Sequence, residues 1–421
     1  MASEKLKVGI DARLDNPRQG IGTAIIGLAK GFGSLPASED EYWFIMHSDN
    51  TEWLRPYMGQ NCRIFEVPRA PGTRPFGKRT LRQRLWKRIT SLTTRSASGF
   101  EVAPSSVEEF GFDVIHFTTQ LGFVKTVPTI YQPWDLQHLH LPKLFSRREW
   151  ERREREYRFF CEQACLVCVQ TEWGKRDLCD QYGLPESKVV VVPGASVLQA
   201  YTPPTQSEID ATLRKHGIPS EFFFYPAVTW PHKNHSVLLR ALAKLKEEHD
   251  YRAHLVLTGD LTTFSKVLRR EARQYGISDQ VSFLGFVSAA EIQCFYRRAR
   301  ALVFPSKFEG WGFPIFEAFQ SGLPVICSNA SVLPEVTAGA ASLLPSEDAA
   351  GFAHAMIRVH TDVVMRAELV RKGFDRVQSL SWERTADIMQ KHYASLAHGH
   401  SGMGDTVPLH DVLPERVVSA I

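Results

Sequence analysis

Short apolar runs rich in Val, Ile and Phe recur along the chain, each giving way to a stretch whose apolar residues return at helical spacing. That alternation predicts parallel α/β architecture, in which helices cover a sheet of buried strands. In the first half the predicted strands are LKVGIDA, EYWFIMH, RIFEV, DVIHF, LVCVQT and KVVVVPG, with the helical TAIIGLAKGF between the first two. The polar, Pro-containing SVLQAYTPPTQSE breaks the pattern and predicts a linker at 197–207. Beyond it the alternation restarts: FFFYPAV, AHLVLTGD, VSFLGFV, ALVFPS, LPVICS and ASLLPS, interleaved with segments such as HSVLLRALAKLKEEH. The expectation is two doubly wound, Rossmann-like parallel-sheet domains facing a cleft, at 1–200 and 201–385. A helix at 386–400 is expected to return to the first domain, and 401–421 reads as a flexible tail without periodicity.

A length of 421 residues fits two domains. Fifty basic against 46 acidic residues, a net +4, is too slight a balance to make nucleic acid the main partner. The apolar runs fall far short of the ~20 residues of a membrane-spanning helix. The amino terminus, MASEKLKVGIDAR, lacks the apolar core of a secretory signal, and seven cysteines without a regular framework suit a reducing compartment. Cytoplasmic residence is the expectation. One stretch departs from the average charge. From Val67 to Phe100 there is no acid, while Leu81, Leu85, Ile89 and Leu92 recur at helical spacing among Arg82, Arg84, Lys87 and Arg88. Such a basic amphipathic helix either docks its apolar stripe on the first domain or, through 78–95, rests on an anionic membrane surface or steers an anionic substrate.

The densest chemistry lies in ALVFPSKFEGWGFPIFEAFQSGLPVICS, residues 301–328. A strand runs into a loop with Gly310 and Gly312, and Pro314 opens a helix that Gly322 ends. Glycines after a strand let backbone approach a ligand, and the N–H groups of a helix's first turn suit a phosphate. Glu309 stands in the loop and Glu317 eight residues later in the helix. A second loop, in FYPAVTWPHKNHSVLLRAL, brings His232, Lys233 and Asn234 to the start of a helix, with Lys233 placed to neutralise phosphate at a strand's carboxyl end. In VSFLGFV, Gly285 would let the following backbone meet a flat ring.

These runs resemble family 4 retaining glycosyltransferases of the glycosyltransferase-B fold. FPSKFEGWGFPIFEAFQSGLPVICSNASVLPEV is similar to their Glu-x7-Glu signature, and HKN, LTGD, FLGFV and ALVFPS precede it in the family's order. GIGTAIIGLAKGF resembles the first-domain glycine loop and helix, and WDLQHLHLPKLFS with YPAVTWPHKNH is similar to bacterial members that build surface polysaccharides, many of them mannosyltransferases. The resemblance implies that the first domain binds acceptor and the second a nucleotide diphosphate sugar. It implies that Glu309 sits beside the donor sugar, that Glu317 binds the ribose, and that Lys233 contacts the diphosphate with help from His232. Gly310, Gly312 and Phe313 line the phosphate turn, Gly285, Phe286 and Val287 lie where the base is gripped, and Gly20 and Gly22 match the first-domain loop.

Two positions depart from the family pattern. Ala227 stands where members carry a phosphate-binding Arg, and Trp134 where they carry a histidine before Asp135. His138, with Asp135, is the candidate to take that histidine's catalytic role, with helix or loop packing the alternative; His116, inside an apolar strand, reads as a core residue. Cys161, Cys165 and Cys168 have the spacing of a radical iron–sulfur motif, yet they fall where a helix runs into a buried strand, and buried thiols are common. With no Asp-x-Asp pair in the chain, neither metal nor cofactor is expected. The leading expectation is a metal-independent retaining hexosyltransferase acting on a glycan or lipid-linked acceptor. The alternatives are a degenerate sugar-nucleotide-binding protein and a sugar-nucleotide hydrolase or epimerase of the same fold.

Overall fold

The computed structural model describes residues 5–17, 20–36, 40–69, 104–124 and 126–399. The basic stretch at 78–95 and the tail at 401–421 lie outside them. The chain divides into two compact units, Met1–Gly194 with Ser381–Ile421, and Ala195–Leu380.

The first unit is built on a seven-stranded sheet among the described residues: β1 (Lys7–Asp11), β2 (Glu41–His47), β3 (Cys62–Val67), β4 (Val114–Phe117), β5 (Thr129–Tyr131), β6 (Leu166–Val169) and β7 (Val189–Val191). Their order is β3-β2-β1-β4-β5-β6-β7, with parallel pairing throughout. The second unit has β8 (Phe223–Pro226), β9 (Leu255–Thr258), β10 (Val281–Gly285), β11 (Leu302–Phe304), β12 (Val325–Ser328) and β13 (Ala341–Leu344) in the order β10-β9-β8-β11-β12-β13, again parallel. Strands such as LVLT of β9 and VICS of β12 are buried at every position because helices cover both sheet faces. In each sheet the order reverses once, between β1 and β4 and between β8 and β11. Ligands of open α/β sheets bind outside the carboxyl ends of strands at such reversals.

The chain passes between units at 194/195 and 380/381, ahead of the expected 200/201 and 385/386. The later passage is set by a cap. The Ser381 hydroxyl accepts from Arg384 N at 3.1 Å and starts the helix Trp382–His398, so Trp382 already belongs to the first unit. This helix packs along Gly20–Ser34. A Cβ on Gly27 would lie 1.9 Å from the Trp382 ring, and one on Gly31 would lie 2.2 Å from the Trp382 carbonyl oxygen. Farther along, Tyr393 OH meets His116 Nδ1 at 2.8 Å while Gln132 Oε1 holds Nε2 at 3.2 Å. Burial pulls the His116 pKa down to about 4, so this core histidine is neutral.

Gly27→Ala tests the docking by the sign of its effect. In an exposed helix the change stabilises by ~1 kcal/mol. Here the added methyl overlaps Trp382, and overpacking is expected to lower stability by about 1–3 kcal/mol in denaturant unfolding. An unchanged or raised stability would contradict this packing.

Candidate functional site

At the second unit's strand reversal, β8 ends at Pro226 and the chain passes through a single 3-10 turn, Pro231–Lys233, into the helix His235–His249. Asn234 joins turn to helix with φ of +57°, a left-handed conformation that asparagine tolerates better than most residues. Its buried side-chain amide donates to Pro305 O at 3.2 Å and to Ser346 O at 2.6 Å, fastening this turn to the segments after β11 and β13. Lys307 N donates to His232 O at 2.8 Å, and Tyr225 OH to Lys233 O at 2.8 Å. The turn is thereby held on both sides.

Lys233 Nζ lies 2.6 Å from Glu309 Oε1, with the two side chains 20% and 11% exposed. Glu309 is itself clamped. Ser331 Oγ accepts from Glu309 N at 3.0 Å and donates to Glu309 O at 3.1 Å. The loop then reaches Gly312, whose φ of +91° requires glycine, and Pro314 falls in the first turn of the helix Phe313–Gln320. Glu317 on that helix is buried, and Tyr296 OH donates to its Oε2 at 2.6 Å. Burial pushes the Glu317 carboxyl up to about 7, and the Tyr296 hydroxyl works against that rise.

Two strands from β8 in the sheet, β10 ends at Gly285 with φ of +73° after a register shift between Phe283 and Gly285. Phe286 is 47% exposed while Val287 is buried. Trp230 and Leu261, from the loops after β8 and β9, are exposed large side chains at the same edge of the sheet. Gly259, with φ of +105°, is forced by close approach: a Cβ there would sit 2.8 Å from the Ala227 carbonyl carbon. The structure places the Lys233–Glu309 pair and the glycine turns at the carboxyl edge of this sheet, with Glu317 on the helix that follows β11. Asn234, Ser331 and Tyr296 complete the arrangement; Asn234 stood out in the sequence as the end of the HKN turn before a helix, whereas Ser331 and Tyr296 were not singled out. Ser331 and Tyr296 act across 22 and 21 residues and leave no local pattern.

In the first unit Gly20 is exposed at the first residue of its helix. At Gly22 a Cβ would meet Pro17 O at 1.9 Å, so the approach of this loop excludes any side chain. His138 is buried: its ring is 0% exposed, with Nε2 3.2 Å from Glu154 Oε2 and its plane edge-on to Tyr157. Asp135 Oδ1 accepts from Gln137 N at 3.0 Å, and Trp134, with φ of +70°, donates its indole N–H to Thr118 O at 2.8 Å. At this sheet's own reversal, Arg13 Nε donates to Asp11 Oδ1 at 2.8 Å and Thr118 Oγ1 to Asp11 O at 2.5 Å.

Among the described residues no group of three or more His, Cys, Asp or Glu side chains is arranged to hold a metal ion. Cys161 and Cys168 are buried, and burial raises both thiols, Cys168 to about 12. No helix among the described residues is long and apolar enough to cross a membrane.

Residues 54–195 match the Glycosyltransferase Family 4 model and residues 208–376 the model of glycosyl transferases group 1. O-antigen chain mannosyltransferase B of Escherichia coli is 26% identical over 223 residues, covering 53% of this chain and 58% of that protein. The D-inositol 3-phosphate glycosyltransferase of Corynebacterium aurimucosum is 28% identical over 310 residues, 68% of this chain and 72% of its own. Among solved structures, sucrose-phosphate synthase from Thermosynechococcus elongatus superposes with a TM-score of 0.70 at 18% identity, over 93% of this chain and 99% of that one. Anabaena HepE in complex with UDP and glucose gives 0.68 at 17% identity, over 93% and 100%. With one glycosyltransferase model on each parallel-sheet unit and this fold in common, the chain belongs to the family 4 glycosyltransferases of the glycosyltransferase-B fold.

Proposed function

We propose that the protein moves a sugar, with mannose the leading candidate, from a nucleotide diphosphate donor to a hydroxyl of a glycan or lipid-linked acceptor, with retention at the anomeric carbon and without a metal ion. The observation that carries this reading is the gathering of Lys233, Glu309 and Glu317 at the β8/β11 reversal. Mannose rests on the Escherichia coli O-antigen mannosyltransferase relative. In the proposed step the acceptor oxygen attacks the anomeric carbon from the face that the diphosphate leaves. The carbon–oxygen bond to phosphate breaks, and the acceptor proton passes to the departing phosphate oxygen. Lys233 offsets the charge that develops there. In the structure Glu309 engages the same ammonium, so incoming diphosphate competes for it and releases Glu309 toward the donor sugar. Glu317, behind the loop, accepts from ribose hydroxyls.

A non-catalytic sugar-nucleotide-binding reading draws on Trp134, whose indole N–H is already given to Thr118 O where the family places a histidine. Nucleotide release measured with and without acceptor separates the readings. Acceptor-dependent release supports transfer, acceptor-independent release supports hydrolysis, and its absence supports binding alone.

The two carboxylates are expected to fail differently. Glu317→Ala should weaken nucleotide diphosphate affinity by about tenfold or more, because charge-assisted bonds to the ribose are lost. Glu309→Gln should keep that affinity while kcat falls, its contribution lying in the transition state. Equal affinity in Glu317→Ala, or turnover within a few-fold in Glu309→Gln, would refute the respective role. Activity should persist in excess chelator; complete loss that manganese or magnesium restores would contradict the metal-free step.

For a lipid-linked acceptor, the basic stretch at 78–95 supplies the argument, with each surface-proximal basic residue contributing ~1 kcal/mol on an anionic leaflet. Co-sedimentation should then favour anionic over neutral vesicles and weaken with salt, whereas no binding to either would shift the acceptor to a soluble molecule.

A further inference from the structure

Glu317 is the buried carboxylate of the donor site, and its Oε2 accepts from the phenol of Tyr296, on the helix Ala289–Arg298. That helix begins directly behind the Gly285–Val287 turn. Ser288 caps it: its hydroxyl accepts from Glu291 N at 3.3 Å, and the Glu291 carboxylate accepts from Ser288 N at 2.9 Å. One rigid element therefore connects the turn after β10 to Glu317. The Tyr296 ring is held edge-on to Phe224 of β8 at 5.1 Å, so the hydroxyl has a fixed origin.

We propose that Tyr296 is a positioning residue for donor binding: its hydroxyl holds Oε2 of Glu317 and turns Oε1 toward the ribose hydroxyls. The proposal rests on the reading of Glu317 as the ribose ligand. A hydrogen bond donated to one carboxylate oxygen favours the charged form, and only that form accepts from two hydroxyls at once. Tyr296 thus works against burial, which alone would keep Glu317 protonated near neutral pH.

The other elements packed against the helix Phe313–Gln320 are β11, β12, the 3-10 turn Val197–Ala200 and the helix Val363–Gln378. Cys327 of β12 is a thiol that burial keeps neutral. On the helix Val363–Gln378, Arg371 pairs with Asp375, Lys372 with Glu368, and Arg376 donates to the Val336 and Glu335 carbonyls. Burial raises the Glu317 pKa, and the Tyr296 hydroxyl works against that rise.

The test is calorimetric binding of GDP-mannose and UDP-glucose across pH 6–9 to the full chain, using whichever binds. Neither sugar diphosphate has a phosphate that titrates in that window. Wild-type affinity should fall about tenfold from pH 8.5 to 6, as expected for a required carboxylate with a pKa near 7. Glu317→Gln should bind weakly and with a flat profile. Tyr296→Phe keeps the packed ring and should move the midpoint up by roughly one to two pH units, a loss of about tenfold at pH 7 that narrows at pH 9. A Tyr296→Phe profile identical to wild type, or a loss equal at every pH, would overturn the positioning role while leaving the donor site standing. A flat wild-type profile would also overturn it, whether or not Tyr296→Phe folds. Unchanged affinity in Glu317→Gln would overturn the ribose assignment itself.

Discussion

Asn234 stands where the chain turns from β8 into its helix, in a left-handed backbone conformation, and its amide binds carbonyls from two other loops. The parallel sheet makes this joint necessary. Strands β8 and β11 are neighbours in space, yet their connections leave the sheet in different directions, so nothing in the ladder fixes one loop against the other. The bonds of Asn234 to Pro305 and Ser346, with that of Lys307 to His232, supply the missing constraint. Lys233 can then meet Glu309 at 2.6 Å as a consequence of backbone placement rather than of two long side chains searching for each other. Lys233 and Glu309 are therefore already paired before any ligand arrives.

The same logic separates what the residue order revealed from what it concealed. Strand and helix alternation, the glycine turns at 285 and 312, and the Glu309 to Glu317 spacing are local patterns, and local patterns survive in a one-dimensional reading. Tyr296 and Ser331 meet their carboxylate and backbone partners from distant elements, so no spacing announces them. For His138 the sequence left chemistry and packing both open, and what surrounds it became visible only with the helix Arg147–Gln163, which brings Glu154 and Tyr157 against its ring. The small residues Gly27 and Gly31 likewise carried no signal of what they face until Trp382 was found lying across them.

The first unit shares the plan of the second without its charge pattern. At its own strand reversal an Asp11–Arg13 pair and the Thr118 hydroxyl occupy the ends of β1 and β4, and Gly22 is packed so closely on Pro17 that the loop cannot carry a side chain there. Each unit thus has a stiff turn at the carboxyl edge of its sheet. The second adds the Lys233–Glu309 pair and the buried Glu317.

Whether the β8/β11 reversal is where the donor binds is most directly tested by amide hydrogen exchange, followed with and without a saturating nucleotide sugar that the protein has been shown to bind. Protection should rise at residues 226–234, 285–288 and 305–317, since the turn amides and the first turn of the helix Phe313–Gln320 would be covered together. Protection confined to residues 5–194, with those three segments unchanged, would contradict the placement of the donor in the second unit.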